Sequence, residues 1–350
     1  MKENKNFAFF AAANGYSGFR SYFDEVFNPK DYTKIYILKG GPGTGKSTIM
    51  KSLYSQFEDK ATQTEAIYCS SDPKSLDGVI LEKNSTRIAV IDGTAPHERD
   101  AHFPGAIDEI INLGECWDKR WLEAKRDMII PLCEEKKNAY KTAYSYLSAA
   151  GIAHRAKSAL EISTSDTKIA KNSIKNLADS ILASENPQKK TRLISAFGKS
   201  GVVRFDTLKK ISERYIGVSG ATRAVNEYIA ILWKETKEIC NTVRIPSPLD
   251  DSITEAIYFP DSHLTIVADE TAEDLINADD FCKCEVLDKE RSRVFSSTES
   301  NYLSEAERWF KIAADLHSRL EEIYYEAMNF EKNNDMLASL TEEISEKISS

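Results

Sequence analysis

The sequence predicts an α/β fold made twice: two mainly parallel sheets, helices on both faces of each, helical appendages, and a second half that is a degenerate copy of the first. Three observations predict it. At "KIYILKGGPGTGKSTIM" (34–50) an apolar, β-branched run passes through a glycine-rich turn into a helical pattern. The chain resembles itself when shifted by a constant distance. Long charged stretches with helical spacing follow each α/β segment.

Ile35, Tyr36, Ile37 and Leu38 read as a buried strand, and Ile49, Met50, Leu53 and Tyr54 as the inward face of a helix. Between them lies G-x-x-x-x-G-K-[ST], at Gly40, Gly45, Lys46 and Ser47, the signature of P-loop NTPase-like domains. The candidate binding set is Gly40, Gly41, Pro42, Gly43, Thr44, Gly45, Lys46, Ser47 and Thr48. Glycines let backbone amides turn inward around phosphate oxygens, and a helix N-terminus adds a field that favours negative charge. Lys46 reaches the terminal phosphates and the Ser47 hydroxyl ligates the metal, so the predicted cofactors are ATP and Mg2+.

"RIAVIDGTAPH" (87–97) is a second apolar run, and it ends in Asp92. An aspartate there holds magnesium through water, which makes Lys46 and Asp92 the leading catalytic pair and Ser47 and Asp92 the metal pair. A base or water-positioning group is harder to find. Asp72 follows the strand pattern Ala66–Cys69, Asp77 precedes Gly78, and His97 follows Pro96. Each also reads as an ordinary turn or loop residue.

The self-similarity carries the second half. Gly40 meets Gly217 (217 − 40 = 177), and Gly43, Lys46 and Asp92 meet Gly220, Arg223 and Asp269 at the same offset. Ile80 meets Ile257, and Thr94 meets Thr271, at that offset too. "NGYSGF" (14–19) resembles "FGKSGV" (197–202) at an offset of 183 (197 − 14 = 183). In "GVSGATRA" (217–224), Thr222, Arg223 and Ala224 stand where the intact loop has glycine, lysine and serine. The second half is therefore expected to bind Mg-nucleotide poorly, with Arg223 or Arg204 free to lend charge to the first site.

From Ala106 onward the first half reads as helical, with Tyr140, Tyr144 and Leu147 on one face and an interruption expected at Pro131. "ASENPQKKT" (183–191) is polar and proline-containing, so the boundary falls there: residues 1–187 form the first domain and 188–350 the second. The tail from Leu303 repeats the charged helical theme, and these helical regions are candidates for contact with a protein partner.

The 350 residues carry a net charge of −9 and a pI near 5.3, which argues against nucleic acid as a partner. No apolar run approaches membrane-spanning length, so no membrane association is expected. Six scattered cysteines fit reduced thiols and a cytoplasmic location.

The segments "LKGGPGTGKSTIMKSL", "CSSDPKSLDGVI", "VIDGTAPH", "FPGAIDEIINLGECWD" and "AYSYLSAA" resemble a bacterial family of tandem P-loop ATPase-like proteins. The resemblance covers about residues 7–155 closely and 190–330 more loosely. It implies nucleotide binding and ATP hydrolysis at the first loop, and it supplies no substrate. Two other functions share the same phosphate site: a small-molecule kinase, and a nucleotide-dependent scaffold or sensor with little turnover.

Overall fold

The computed structural model describes residues 5–178 and 181–349. The first half opens with β1 (Lys5–Phe10), a hairpin of β2 (Ala12–Gly15) and β3 (Gly18–Ser21), and the short α1 (Phe23–Val26). Then come β4 (Lys34–Lys39), α2 (Lys46–Phe57), β5 (Gln63–Tyr68), β6 (Leu76–Lys83), β7 (Thr86–Asp92) and β8 (Asp108–Asn112). The sheet order is β1-β5-β6-β7-β4-β8. Parallel neighbours flank β4 on both sides, and Ile35 to Leu38 are fully buried, which is why that strand is apolar at every position.

One expectation holds and one needs correction. The sheet is mostly parallel, as expected, with β6 alone running antiparallel to both of its neighbours. Only Asn84 and Ser85 join β6 to β7, and so short a link can only make a hairpin. The stretch after Ala106 begins as a strand, not a helix: β8 pairs in parallel with β4, from Asp108 opposite Ile35 to Asn112 opposite Lys39.

Next come α3 (Lys119–Ala124), α4 (Arg126–Ser158), β9 (Glu161–Ser165) and α5 (Thr167–Ala178). Pro131 does not break α4. It lies near the start of the helix, and the Asp127 carbonyl it leaves unbonded belongs to an exposed residue that water can serve.

The second half repeats the first. It runs β10 (Lys189–Thr191), β11 (Ser195–Gly198), β12 (Gly201–Arg204), α6 (Thr207–Ile211), β13 (Arg214–Ser219) and α7 (Thr222–Thr236). It continues with β14 (Thr242–Pro246), β15 (Thr254–Phe259), β16 (Leu264–Val267), β17 (Asp274–Asn277) and β18 (Cys282–Val286). Its sheet order, β10-β14-β15-β16-β13-β17, matches the first strand for strand, including the antiparallel third member. Ile80 opposite Ala89 becomes Ile257 opposite Ile266, both at the offset of 177 (257 − 80 = 177). The hairpins match at 183, with Gly15–Gly18 answered by Gly198–Gly201 (198 − 15 = 183).

The chain closes with α8 (Lys289–Glu326) and α9 (Phe330–Ser349). The helices α4 and α8 pack together, and they obey an offset of their own. Ala143 and Ala306, Leu147 and Phe310, and Ala150 and Ala313 are all buried and all lie 163 apart (306 − 143 = 163). The echo of Arg120-Trp121-Leu122 in Arg308-Trp309-Phe310 is thus not the structural register.

The cut expected at residues 187 and 188 separates the two sheets but not their cores. One core lies between the sheets and draws Ile35, Ile37, Ile80 and Ile91 together with Ile194, Ile245, Ala256 and Val267. Each sheet's inner face is thus covered by the other half and by the short α1 and α6, while long helices cover only the outer faces. On the outer faces the last helices are exchanged. Leu340, Ile344 and Ile348 of α9 join α2 on the first sheet, while Ala170 and Ile174 of α5 join α7 on the second. Phe10 and Leu193 exchange both backbone hydrogen bonds, at 2.8 and 3.2 Å, close to the internal two-fold. Among the described residues, no helix is long and apolar enough to cross a membrane.

Candidate functional site

Six residues, 40–45, link β4 to α2. Gly45 supplies the left-handed turn (φ +81°) that starts the helix, so Lys46, Ser47 and Thr48 form its first turn, with Thr48 exposed. Lys46 curls back over the loop. Its Nζ donates to the carbonyls of Gly40 at 2.7 Å and Gly41 at 2.9 Å and lies 3.7 Å from Asp92 Oδ2. Thr44 Oγ1 donates to Gly41 O at 2.9 Å and Ser47 Oγ accepts from Leu76 N at 3.0 Å.

Asp92 ends β7, directly opposite Leu38 of β4. Its Oδ1 accepts from Thr94 N at 2.8 Å and Thr94 Oγ1 at 2.6 Å, which leaves Oδ2 facing Lys46. Burial pushes the Asp92 carboxyl up, against the pull of Lys46 and Thr94. Asp269 in the second half makes the same turn, accepting from Thr271 N at 2.9 Å and Thr271 Oγ1 at 2.6 Å. Its other oxygen is already taken, by Tyr215 Oη at 2.9 Å and Lys209 Nζ at 3.2 Å. Despite burial, these donors hold Asp269 well below the usual carboxylate range. Of the two aspartates, only Asp92 keeps an oxygen with no hydrogen-bond donor on it.

The secondary candidates separate. His97 is buried, stacked on Phe23 at 3.9 Å between ring centres, with Nε2 3.2 Å from Asp77 Oδ2 and no partner for Nδ1. The Asp77 charge also helps to push the Asp92 carboxyl up. Asp72 is a turn residue whose Oδ1 accepts from Lys74 N at 3.2 Å. Its Oδ2 pairs at 2.9 Å with Lys199, which the second half supplies.

The junction of α8 and α9 closes over the loop. A Cβ on Gly43 would lie 2.6 Å from the Glu321 carbonyl oxygen, and Gly41 lies against Trp117 and Tyr324. Asp118 N donates to Ala327 O, and Asn329 N to Cys116 O, both at 2.8 Å. Nothing in the sequence marks this lid, because Glu321 lies 278 positions from Gly43 (321 − 43 = 278) and no local pattern links them. An open groove of about 980 Å³ lies elsewhere, between α4 and the β2–β3 turn, and its lining includes neither Lys46 nor Asp92.

The second loop departs from expectation. The constant offset of 177 holds for β6–β7 and for Asp92, but it fails here. Only Gly220 and Ala221 separate β13 from α7, against six residues in the first half. Gly217 is a strand residue packed against the Asp269 carbonyl, not part of a cradle. Ala221 N is held by Asp279 Oδ1 at 3.0 Å, so a carboxylate of the chain already serves that helix start. Arg223 faces away from the first site: it donates to Ser163 Oγ at 2.9 Å, Glu161 O at 2.8 Å and Glu227 at 3.3 Å. Arg204 pairs with Glu255 at 3.4 Å. Neither arginine is directed at the first site; Lys199 is the second-half cation that comes near it.

A six-residue amide loop at a helix start, one lysine and one buried carboxylate with a free oxygen form an arrangement suited to a polyanion and a hard cation. Comparison of the chain with protein families, curated proteins and solved structures gives no match.

Proposed function

We propose that this chain binds a nucleoside triphosphate with magnesium at residues 40–48 and hydrolyses its terminal phosphate, with ATP as the substrate. The observation that carries this reading is Asp92 Oδ2, a buried carboxylate oxygen facing Lys46 Nζ at 3.7 Å beside the glycine loop. Loop amides and Lys46 would hold the phosphates and stabilise charge on the transferring group. Ser47 Oγ and, through water, Asp92 would hold magnesium, whose role is to neutralise phosphate charge. Hard oxygens suit that ion. Among the described residues no cluster of three or more His, Cys, Asp or Glu side chains could hold a metal, so phosphate oxygens and water would complete its shell. Asp77 pairs with the buried His97 and, as a like charge, adds to the burial that pushes the Asp92 carboxyl up; positioning would be the main source of catalysis.

Transfer to a bound hydroxyl is the second reading, favoured by the extra cations near the loop. Purified protein incubated with Mg-ATP tests both. Free phosphate supports hydrolysis, a phosphorylated small molecule in an added metabolite mixture supports the kinase, and neither product with tight binding supports a sensor.

A further inference from the structure

We infer that a phosphate-binding subsite adjoins the glycine loop, formed by Lys136 of α4, His317 of α8 and Lys199 from the β11–β12 turn. It rests on the nucleotide reading and extends it, by naming the chemistry that the mouth of the site receives.

Glu321 lays its backbone against Gly43, and His317 is one helical turn earlier on the same face of α8. Lys136 Nζ lies 3.3 Å from His317 Nδ1, and among the described residues it has no carboxylate within ion-pair distance. Lys199 arrives from the other half to pair with Asp72. Burial and then the Lys136 charge push the His317 imidazole down to about 4, with further pushes from the Lys46 and Lys199 charges. The acids nearby are Asp72 and Glu321. Burial and Asp72 push the Glu321 carboxyl up, which weakens it as a competitor for these cations.

The internal two-fold supplies a control within the molecule. At the offset of 163, Lys136 corresponds to Glu299 and His154 to His317 (317 − 154 = 163). The hairpin turns pair Lys199 with Tyr16 (199 − 16 = 183). At that other end Tyr16 Oη donates to Glu299 at 2.7 Å, and His154 Nδ1 contacts the same carboxylate at 3.0 Å. Lys157 adds a contact at 3.6 Å. That end is closed on itself by an acid, beside the shortened loop. Cations at the same positions occur only beside the six-residue loop. The fold therefore does not require them, and their positive charge serves an anion.

The phosphate comes either from the nucleotide's own terminal group or from a separate phosphorylated acceptor. Calorimetric titrations of Lys136→Gln and Lys199→Gln distinguish these, with Glu299→Gln as the two-fold-related control. If the terminal phosphate is the ligand, both variants weaken Mg-AMP-PNP about tenfold and leave Mg-ADP unchanged. If the acceptor is, both nucleotides bind normally and inorganic phosphate binding to the Mg-ADP complex weakens about tenfold. Loss of none of these affinities, or an equal loss in Glu299→Gln, overturns the subsite. Should the wild type bind neither nucleotide, the nucleotide reading fails by itself. Pyrophosphate alone then decides the subsite: a His317 ring NMR shift that Lys136→Gln abolishes supports it, and no shift in the wild type overturns it.

Discussion

Glu65 accepts from Arg192 Nε at 3.1 Å across the seam between the two halves, and both residues are buried. Arg87 donates to the other carboxylate oxygen, also at 3.1 Å. Burial opposes the charge on Glu65, but Arg192 and Arg87 outweigh it and hold the carboxyl below its ordinary value of 4.5. A depressed carboxylate pKa adds stability above pH 4.5, which is lost as pH falls through the folded value. Glu65→Gln leaves the buried Arg192 guanidinium without its carboxylate, while the half-buried Arg87 keeps Glu82 at 3.6 Å, and the change is expected to cost about 3–5 kcal/mol at neutral pH. Urea titrations check it: the gap between wild type and variant should narrow below pH 4.5. A gap independent of pH would refute this assignment.

The exchange of α5 and α9 predicts that the end of the chain stabilises its beginning. Ile344 is fully buried against the first sheet's outer core, so Ile344→Ala should cost about 2–5 kcal/mol. Val294→Ala, at an exposed position on α8, should change denaturant stability by under about 0.5 kcal/mol. Equal effects would mean that α9 does not pack on this core.

Asp92 predicts opposite signs for stability and activity. Its folded pKa is raised, so its charge disfavours the fold increasingly as pH rises through that value. Asp92→Asn should therefore keep or raise the melting temperature at pH 7 while lowering Mg-dependent turnover about 100-fold. A destabilised variant with normal turnover would remove Asp92 from the site.

The shortened second loop predicts one nucleotide per chain. Asp279→Ala frees the Ala221 amide but cannot restore the missing loop residues. Calorimetry should therefore give one site in the wild type and in Asp279→Ala, and a second magnesium-dependent site in either would show that the short loop still binds.

What was legible in the sequence was local. Ile35–Leu38 reads as a buried strand because parallel neighbours leave it no polar position, and the glycine spacing marks the loop beside it. The repeat was legible where packing keeps residues alike, at Ile80 and Ile257 in the third strands. It misled at the loop, because matching glycines hid a deletion between β13 and α7. Residues 108–112 read as helix because an edge strand with one solvated face can share its short apolar pattern with a helix. Lys136 and His317 meet through α4 and α8, and Lys199 comes from a hairpin to pair with Asp72, so no sequence window contains them. The offset of 163 between the paired histidines was the one available signal, and it is visible only once α4 and α8 are aligned on their buried positions.

The most direct test is calorimetric titration of the folded wild type and of Lys46→Ala with Mg-AMP-PNP. Lys46 faces the loop carbonyls and Asp92 rather than a core, so the variant should keep its fold. The account predicts one saturable site in the wild type and a loss of at least about 100-fold in affinity in the variant, since Lys46 is the only lysine held within the loop. Equal binding by the two proteins, or none by the wild type, would contradict it.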